Sequence, residues 1–349
     1  MGLHKHSFGE SPVASDDIND NHDFLISQIF YLSSDASRTS DDDEGFFTSD
    51  YGTMADTTNS TCFYKDEIAF CDILDYFDDG AIDGDIWDTV VESSGTVTEV
   101  SSGAAGYLKL NAASSTNTSA SATATEDQVN SFDLKAADCE VIMYIKMYAA
   151  ASATGTYGTA IIKIVDEDAN KVTIKSLAHG SSGSSTFGYG IIRLVINTAT
   201  ENCYLYESST DTTSAVIDIS SLTGDNWYLE FNVQGSGDPG SGSGSICIKS
   251  IGYTDGTVGS SIYYSSVETI SSSTIGVAEF TELDVSISVS LSYDNGSHYT
   301  SLERYSMIEM TTGTQMIFQA EGTHPTSLDV SATGRNIKFI SGDFSLIYS

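Results

Sequence analysis

Residues 138–148 read DCEVIMYIKMY, and this stretch indicates the fold class of the chain. It is rich in β-branched and aromatic residues, which favour extended strands. Residues 149–158, which follow it, are rich in Ala, Gly, Ser and Thr and predict a turn region. The same alternation of strand-like runs and turn-rich segments continues on both sides, so the sequence predicts an all-β protein with few and short helices.

The alternation is most regular between about residue 70 and residue 256. Besides 138–148, strand-like runs are predicted at 72–77, 96–100, 107–110, 160–165, 171–177, 189–197, 203–207, 227–233 and 245–253. Residues 166–170 and 198–202 predict hairpin loops, and the Gly- and Ser-rich residues 235–244 predict an exposed loop. About ten such strands are expected of a two-sheet sandwich, in which the first and last strands meet to avoid exposed edges.

The remainder of the chain divides into three segments. Residues 257–275 are Ser-rich and predict a linker, and residues 276–349 predict a small β module. Strand-like runs in and beside that module lie at 278–283, 285–293, 315–320, 327–330, 336–340 and 344–349. Asn295-Gly296 follows alternating apolar residues and predicts a tight hairpin, because Asn-Gly favours positive φ at both turn positions.

Residues 1–69 predict an N-terminal arm with little core of its own. Acidic segments at 16–20 and 41–44 flank the apolar residues 24–32, of which Leu25, Ile29 and Leu32 would share one face of a short helix. Packing on the main domain and attachment to a partner both remain open. An isolated arm cannot bury these side chains on itself, so we expect a homo-oligomer or a subunit repeated on a larger particle.

Charge and cysteine content narrow the function classes. The chain has 14 basic and 49 acidic residues, a net charge of −35 that disfavours binding to nucleic acid or to anionic membranes. Membrane insertion is not expected, since the apolar run 191–196 is short and contains Arg193, and residues 1–6 lack the apolar core of a secretory signal. Reduced thiols and synthesis in a cytoplasm are expected because the cysteines are odd in number: Cys62, Cys71, Cys139, Cys203 and Cys247.

Residues 75–87, DYFDDGAIDGDIW, resemble the opening of concanavalin A-like and laminin G-like jelly-roll domains. Phe77 and Trp87 match core positions of that opening, and residues 106–110 match the strand that follows it. The resemblance covers about residues 70–256. It implies an antiparallel jelly-roll sandwich, here with an N-terminal arm and a small C-terminal β module.

This sandwich, followed by a β module with a hairpin at 292–296, is also similar to tail-fibre and head-decoration proteins of tailed bacteriophages. The resemblance implies a non-enzymatic virion structural protein that displays a lectin-like domain on the extracellular particle after synthesis in the host cytoplasm. Its implied partners are other copies of itself, other virion proteins through the arm, and host-surface glycans. The alternative is a free carbohydrate-binding protein or a laminarinase-like glycosidase.

No catalytic residue is predicted. Retaining glycosidases need two carboxylates about 5–5.5 Å apart, and the laminarinase-like relatives carry Glu-x-Asp-x-Glu on one strand. Residues 166–168 are a charged turn, and Glu230 has no acidic residue two positions away. The histidines are too dispersed to define a Ser-His-Asp triad; they are His4, His6, His22, His179, His298 and His324.

The sequence allows a metal site and a sugar site without specifying either. Calcium binds clustered carboxylates, but the densest cluster lacks EF-hand spacing, so no ligand set is assigned and no other cofactor is expected. That cluster comprises Asp75, Asp78, Asp79, Asp83 and Asp85. The aromatic segments 155–158 and 186–189 could stack on sugar rings or cap the edge of the sandwich. Ligand-binding residues are left unassigned.

Overall fold

The computed structural model consists of strands and turns. It describes residues 29–31, 52–54, 61–63, 67–75, 77, 80–102, 105–114, 118–126, 132–208, 214–237, 240–256, 260–265, 268–269, 274–279, 287–303, 307–323, 327–341 and 345–348. Within these ranges there is no helix that could cross a membrane, and every named element is a β-strand.

The strands fall into three groups along the chain. The first group is β1 (Ile29–Tyr31), β2 (Gly52–Met54), β3 (Thr61–Phe63) and β4 (Glu67–Phe70). The second is β5 (Asp72–Asp75), β6 (Trp87–Glu92), β7 (Gly95–Ser102), β8 (Ala105–Ala113), β9 (Ala120–Glu126), β10 (Cys139–Ala151), β11 (Gly158–Asp166), β12 (Lys171–His179), β13 (Gly183–Asn197), β14 (Asn202–Tyr206), β15 (Ala215–Asp218), β16 (Trp227–Gly235) and β17 (Gly242–Thr254). The third is β18 (Ser260–Ser265), β19 (Glu268–Thr269), β20 (Thr274–Glu279), β21 (Ile287–Ser292), β22 (Tyr299–Ser301), β23 (Met307–Met310), β24 (Gln315–Thr323), β25 (Lys338–Ser341) and β26 (Ser345–Tyr348).

The second group forms the predicted antiparallel jelly-roll sandwich. Its eight-stranded sheet has the order β15-β14-β13-β10-β17-β8-β7, and β5 also pairs with β17. Its five-stranded sheet has the order β12-β11-β16-β9-β6. Because β5 pairs with β17, with Ile73 opposite Gly252, the first and last strands of the sandwich meet as expected. The hairpins β11–β12 and β13–β14 are likewise confirmed.

The core lies between the two sheets. Alternate residues of β10, such as Val141, Met143 and Ile145, point inward and are fully or almost fully buried. Phe77 and Trp87 are also buried there, with ring centroids 6.1 Å apart, which confirms the core positions implied by the jelly-roll resemblance. Strand β9 was not predicted, because it alternates alanine with serine and threonine rather than carrying large apolar side chains.

Residues 235–244 are not the exposed loop that their composition predicts. Gly235 ends β16 and Gly242 begins β17, and both are buried. At this end of the sandwich the two sheets approach each other at backbone distance: a Cβ on Gly242 would lie 2.0 Å from the Tyr157 carbonyl oxygen, and one on Gly244 would lie 1.9 Å from that of Thr159. The glycines are therefore required by close packing rather than by loop flexibility.

Strands β1, β2 and β4 pair with strands that follow the sandwich in the chain. Strand β1 pairs with β26, β2 with β18, and β4 with β25. The sequence predicts a short helix with Leu25, Ile29 and Leu32 on one face. This prediction is wrong for residues 29–31, which form a strand, whereas Leu25 and Leu32 lie outside the described residues. A short apolar run is compatible with either structure, and the backbone hydrogen bonds of the neighbouring strand decide between them.

Two predictions for the C-terminal region have opposite outcomes. The Asn-Gly hairpin is confirmed, since β21 pairs with β22 and φ is 58° at Asn295 and 83° at Gly296. The strand predicted at 327–330 is wrong. Instead, the Asn336 side chain accepts a hydrogen bond from the Asp329 N–H at 2.7 Å and donates to the Asp329 carbonyl at 3.1 Å, which holds an irregular segment.

None of the four cysteines whose side chains are described forms a disulfide, and three of them are buried as predicted. Cys71, Cys139 and Cys203 are buried, whereas Cys247 is half-buried. Burial raises the pKa of Cys203 to about 12, so its thiol stays protonated and behaves as a small apolar core group.

Candidate ligand-binding faces

One half of the outer face of the eight-stranded sheet is covered by the chain itself. Arg193 and Glu140 form an ion pair there, and neither side chain is exposed. The N–H groups of Asn336 and Ile337 donate to Glu140 Oε2 at 2.5 and 3.0 Å, and Arg193 Nη2 donates to the Gly334 carbonyl at 3.2 Å. This half of the face is therefore occupied by a C-terminal segment.

The other half of this outer face is open to solvent, and we refer to it as the open face. Its central row joins five strands by direct register: Tyr148 lies opposite Thr186 and Ser245, Ser245 lies opposite Asn111, and Asn111 lies opposite Thr96. Tyr148, Ser245 and Asn111 are half-buried, and the two threonines are exposed. The row thus presents one aromatic ring among hydroxyl and amide groups, all held by paired strands.

A pocket of about 490 Å³ lies beside Tyr148 at the end of the open face. Its lining contains no charged side chain and consists of Ala113, Ser114, Tyr148, Ala150, Ala151, Ser152, Gly183, Ser184, Ser241, Gly242 and Ser243. Ser114 fixes the pocket floor, since its hydroxyl contacts the carbonyl oxygens of Ser236 and Gly242 at 2.7 and 2.8 Å. Most of the side chains that line the pocket are small, and they include glycines and serines at the end of the sandwich where the two sheets approach each other.

On the outer face of the five-stranded sheet, the central strand β16 carries a single carboxylate. Glu230 accepts hydrogen bonds from Lys163 and Lys171 at 2.7 and 2.5 Å. Burial raises the pKa of Glu230, but the two ammonium groups outweigh that effect and bring it below its ordinary value. Asn232 and Gln234 follow on the same face, two and four positions along the strand, and both are amides. The outward-facing positions of β16 therefore lack the two carboxylates of a retaining glycosidase.

Two members of the carboxylate cluster that the sequence offers as calcium ligands, Asp75 and Asp83, accept local hydrogen bonds. Asp75 accepts hydrogen bonds from the Phe77 N–H at 2.9 Å and from the Trp87 indole N–H at 2.8 Å. Asp83 accepts one from the Asp85 N–H at 2.8 Å, while Asp78 and Asp79 lie outside the described residues. Among the residues described, no group of three or more acidic, histidine or cysteine side chains is placed to hold a metal.

The charged turn at 166–168 also has a structural role. Asp166 accepts hydrogen bonds from the N–H groups of Asn170 and Gly224 at 2.7 and 2.9 Å, and Glu167 accepts one from Asp225 at 2.8 Å. Burial acts to raise the pKa of Asp166, but the hydrogen bonds from the Gly224 N–H and from the backbone and side chain of Asn170 outweigh it and lower the pKa. The turn therefore ties two loops of the sandwich together.

The histidines are as dispersed in space as in sequence where they are described. His179 contacts the Ser185 hydroxyl at 3.2 Å, and His298 contacts Asp294 at 2.5 Å. The remaining four, His4, His6, His22 and His324, lie outside the described residues.

The aromatic segments singled out from the sequence are not the centre of the open face. Phe187 lies in β13, where it packs against the core and has Lys175 Nζ 4.5 Å above its ring. Tyr157 is exposed, and the side chain of Tyr189 is not described. The sequence did not single out Tyr148. Its position in β10 is no guide to its exposure, because both faces of that strand carry apolar or aromatic side chains over residues 141–145.

No protein-family model matches the chain, and no curated protein matches it. Among solved structures, it is similar to a GH16 protein of the Bacteroides ovatus mixed linkage glucan PUL, with 14% identity, a TM-score of 0.36, and coverage of 52% of this chain and 98% of that one. It is also similar to an alginate lyase of polysaccharide lyase family 7, with 10% identity, a TM-score of 0.32, and coverage of 49% of this chain and 94% of that one. A third similar structure is an endo-β-1,4-glucuronan lyase from Trichoderma reesei, with 12% identity, a TM-score of 0.29, and coverage of 50% of this chain and 93% of that one. Likenesses at this level carry no inference about activity.

Proposed function

We propose that this protein is a non-enzymatic carbohydrate-binding protein and that the open face with its pocket is the binding surface. The observation that carries the proposal is the placement of Tyr148 in direct register with Thr186 and Ser245, beside an uncharged pocket. A tyrosine offers an apolar ring face and a hydroxyl, and both suit a sugar ring with one apolar side and many hydroxyls. Pockets of about 300–1,000 Å³ are typical of small-ligand sites.

The dimensions of the open face favour an oligosaccharide over a single sugar. Neighbouring strands are about 4.8 Å apart, so the row from Thr186 to Thr96 spans roughly 19 Å. Each of the five strands is hydrogen-bonded to its neighbours, so the backbone that carries the row is already in place before a ligand binds. Little conformational entropy is then lost on binding, which compensates for the modest strength of individual sugar contacts.

The non-enzymatic part of the proposal is supported by the outward-facing positions of β16, beginning at Glu230. Its carboxylate is held by Lys163 and Lys171, and the next two outward-facing positions are Asn232 and Gln234. Neither amide can act as the acid or the nucleophile of a two-carboxylate mechanism. Release of reducing ends from a β-glucan by the purified protein would contradict this part of the proposal.

Display of this domain on a bacteriophage particle stays a prediction, as do the homo-oligomer and the attachment through residues 1–69. Pairing of β1 and β2 with β26 and β18 affects how attachment is tested. Deleting the arm would also remove strands that pair with the C-terminal region, so loss of particle association after deletion would not identify the arm as the attachment site. Substitution of single exposed side chains is the more informative test.

The proposed function is tested by substituting Tyr148→Ala and measuring binding to an array of immobilised oligosaccharides. We expect affinity to fall by roughly tenfold or more, about 1.4 kcal/mol. Tyr293→Ala is the matched control, because Tyr293 is exposed in the C-terminal hairpin and outside the open face. Equal binding by the wild type and the Tyr148→Ala variant, with both folded, would contradict the proposal.

A further inference from the structure

Strand β6 is an exposed edge of the five-stranded sheet. It ends the order β12-β11-β16-β9-β6, and among the described strands it pairs with β9. Every residue of β6 after Trp87 is exposed, and two of them are the apolar Val90 and Val91, which are 62% and 53% exposed. Adjacent residues of a strand point to opposite faces, so this edge presents apolar surface on both sides of the sheet.

The edges at β12, β7 and β15 carry features that oppose pairing with another strand. Strand β12 contains Lys171 and Lys175, and its register with β11 is interrupted by an irregularity. Strand β7 has a carboxylate, Glu99, on its core-facing side, opposite the buried Leu108. Strand β15 is four residues long. Lysines, bulges, inward-pointing charges and short strands are all features that protect a sheet edge from unwanted pairing.

Strand β6 has none of these features. Its sequence, WDTVVE, contains no proline and no lysine, and Trp87–Glu92 pair with β9 in unbroken register. Its core-facing residues after Trp87 are Thr89 and Val91, which lie opposite the buried Ala124 and Ala122 and carry no charge. The edge is therefore long and regular enough to accept a further strand, whose backbone would hydrogen-bond to that of β6.

Two carboxylates flank Val90 on the outer face of β6. Asp88 and Glu92 lie two residues before and after Val90, and both are exposed. Their neighbours on β9 are hydroxyl residues: Thr125 lies opposite Asp88, and Ser121 lies opposite Glu92 and donates a hydrogen bond to it at 3.1 Å. Strand β9 thus supplies no positive charge to either carboxylate. A strand on the free side of β6 would place its own side chains beside them.

These charges argue against a second copy of β6 as the added strand. In an antiparallel pair of two β6 strands centred on Val90, Asp88 of each copy would lie opposite Glu92 of the other. Like charges directly opposite each other destabilise a sheet, whereas opposite charges stabilise it. The net charge of −35 adds to the repulsion between copies and attracts a basic partner.

We propose that β6 is a docking edge for an extended basic segment of another protein, which adds to the five-stranded sheet as a sixth strand. In the antiparallel orientation, the complementary pattern is basic-apolar-apolar-polar-basic. Its five positions would lie opposite Glu92, Val91, Val90, Thr89 and Asp88 in turn. Main-chain hydrogen bonds would supply affinity, and the alternating side chains would supply specificity. The open face belongs to the other sheet, so this edge is separate from the proposed sugar-binding surface.

The test measures binding of fluorescent peptides to the full chain by anisotropy. The basic peptide contains Lys-Val-Val-Thr-Lys between Gly-Ser flanks, and the acidic peptide has Glu in place of both lysines. Two further forms of the basic peptide are N-methylated at alternate backbone nitrogens, so that each lacks the N–H donors of one edge. We expect the wild type to bind the basic peptide about tenfold or more tightly than the acidic one, and one methylated form to lose a similar factor.

Charge reversal in the protein provides the matched comparison. In the double variant Asp88→Lys/Glu92→Lys, we expect the preference to switch to the acidic peptide, because both cross-strand charge pairs are then reversed. Asp168→Lys/Asp225→Lys makes the same change in net charge at two exposed positions outside β6. We expect this control to keep the preference for the basic peptide.

Failure to bind the basic peptide, or equal binding of the basic and acidic peptides by the wild type, would overturn the inference. Equal binding of the unmodified peptide and both methylated forms would show that no strand is added. Self-association of the wild type that is abolished by Asp88→Lys/Glu92→Lys would assign the edge to a second copy instead. Tyr148→Ala should leave peptide binding unchanged, so the failure of this inference and the failure of the proposed function are distinguishable.

Discussion

Arg193 and Glu140 form an ion pair whose two side chains are both completely buried, with Nη2 and Oε1 2.6 Å apart. The pair sits on the outer face of the eight-stranded sheet, on neighbouring strands β13 and β10, with Val195 opposite Glu140. Backbone groups at residues 334–337 also hydrogen-bond to the pair, through Glu140 Oε2 and Arg193 Nη2. Two strands of the sandwich and a segment about 140 to 200 residues further along are thus joined through one charge pair.

Removing one member of this pair should strongly destabilise the protein. Glu140→Gln would remove the carboxylate that the buried Arg193 guanidinium contacts, and breaking a buried pair costs about 3–5 kcal/mol. Denaturant unfolding measures the loss. Asp225→Asn is the control, since it disrupts a pair with Lys135 in which the Asp225 side chain is 92% exposed, and we expect a cost below about 1 kcal/mol. Similar losses in the free energy of unfolding for the two substitutions would contradict the expectation that the buried pair stabilises the protein more than the exposed one.

The buried carboxyl of Glu126 should make stability fall as pH rises. Burial raises its pKa from 4.5 to about 8, even though the Leu229 N–H donates to it at 3.1 Å. Between those two values the folded protein holds a proton that the unfolded chain releases, so the free energy of unfolding should fall by up to about 1.4 kcal/mol per pH unit. Unfolding measured from pH 5 to pH 8 should show this slope in the wild type.

In the same measurement, the Glu126→Gln variant removes the titrating group and serves as the reference. We expect its stability to vary less with pH over that range than that of the wild type. Parallel curves for the two proteins would show that Glu126 is ionised in the folded state.

Calcium should not stabilise the sandwich through the 75–85 loop. Asp75 holds the Phe77 N–H and the Trp87 indole with its two oxygens. A cation there would compete with both hydrogen bonds. We expect the melting temperature to be the same in calcium and in a chelator, and Asp75→Ala to lower stability by about 1–3 kcal/mol because the buried indole N–H loses its acceptor. A rise in melting temperature with calcium that Asp75→Ala abolishes would contradict this prediction.

Gly244→Ala should prevent normal packing of the two sheets. Its Cβ would lie 1.9 Å from the Thr159 carbonyl oxygen, a backbone atom that cannot move without displacing β11. We expect little soluble protein, or a loss of stability above about 3 kcal/mol, which is at the upper end of overpacking costs. Gly188→Ala is the matched control on the same sheet, since nothing lies within 4 Å of its Cβ. A Gly244→Ala variant as stable as Gly188→Ala would show that the sheets are further apart at this end.

Most of the strands and hairpins follow from local sequence. Strand-like runs separated by turn residues predict the sandwich, and the Asn295-Gly296 turn is specified by two residues whose conformational preferences are local. Strand β9 and the buried ends of residues 235–244 could not be predicted in this way. Alanine, serine and glycine have weak intrinsic strand preferences, and they lie in strands here because the opposite sheet comes close.

The sequence by itself determined the all-β class, the meeting of the first and last strands, and the core positions of Phe77 and Trp87. Only the tertiary structure decided which half of an outer sheet face is covered and which is open. Residues 139–151 carry apolar or aromatic side chains on both faces, so their pattern cannot tell Tyr144, which is buried, from Tyr148, which borders the pocket. That difference depends on residues almost 200 positions away, whose backbone N–H groups are hydrogen-bonded to Glu140, and contacts at that separation leave no periodic signal in the sequence.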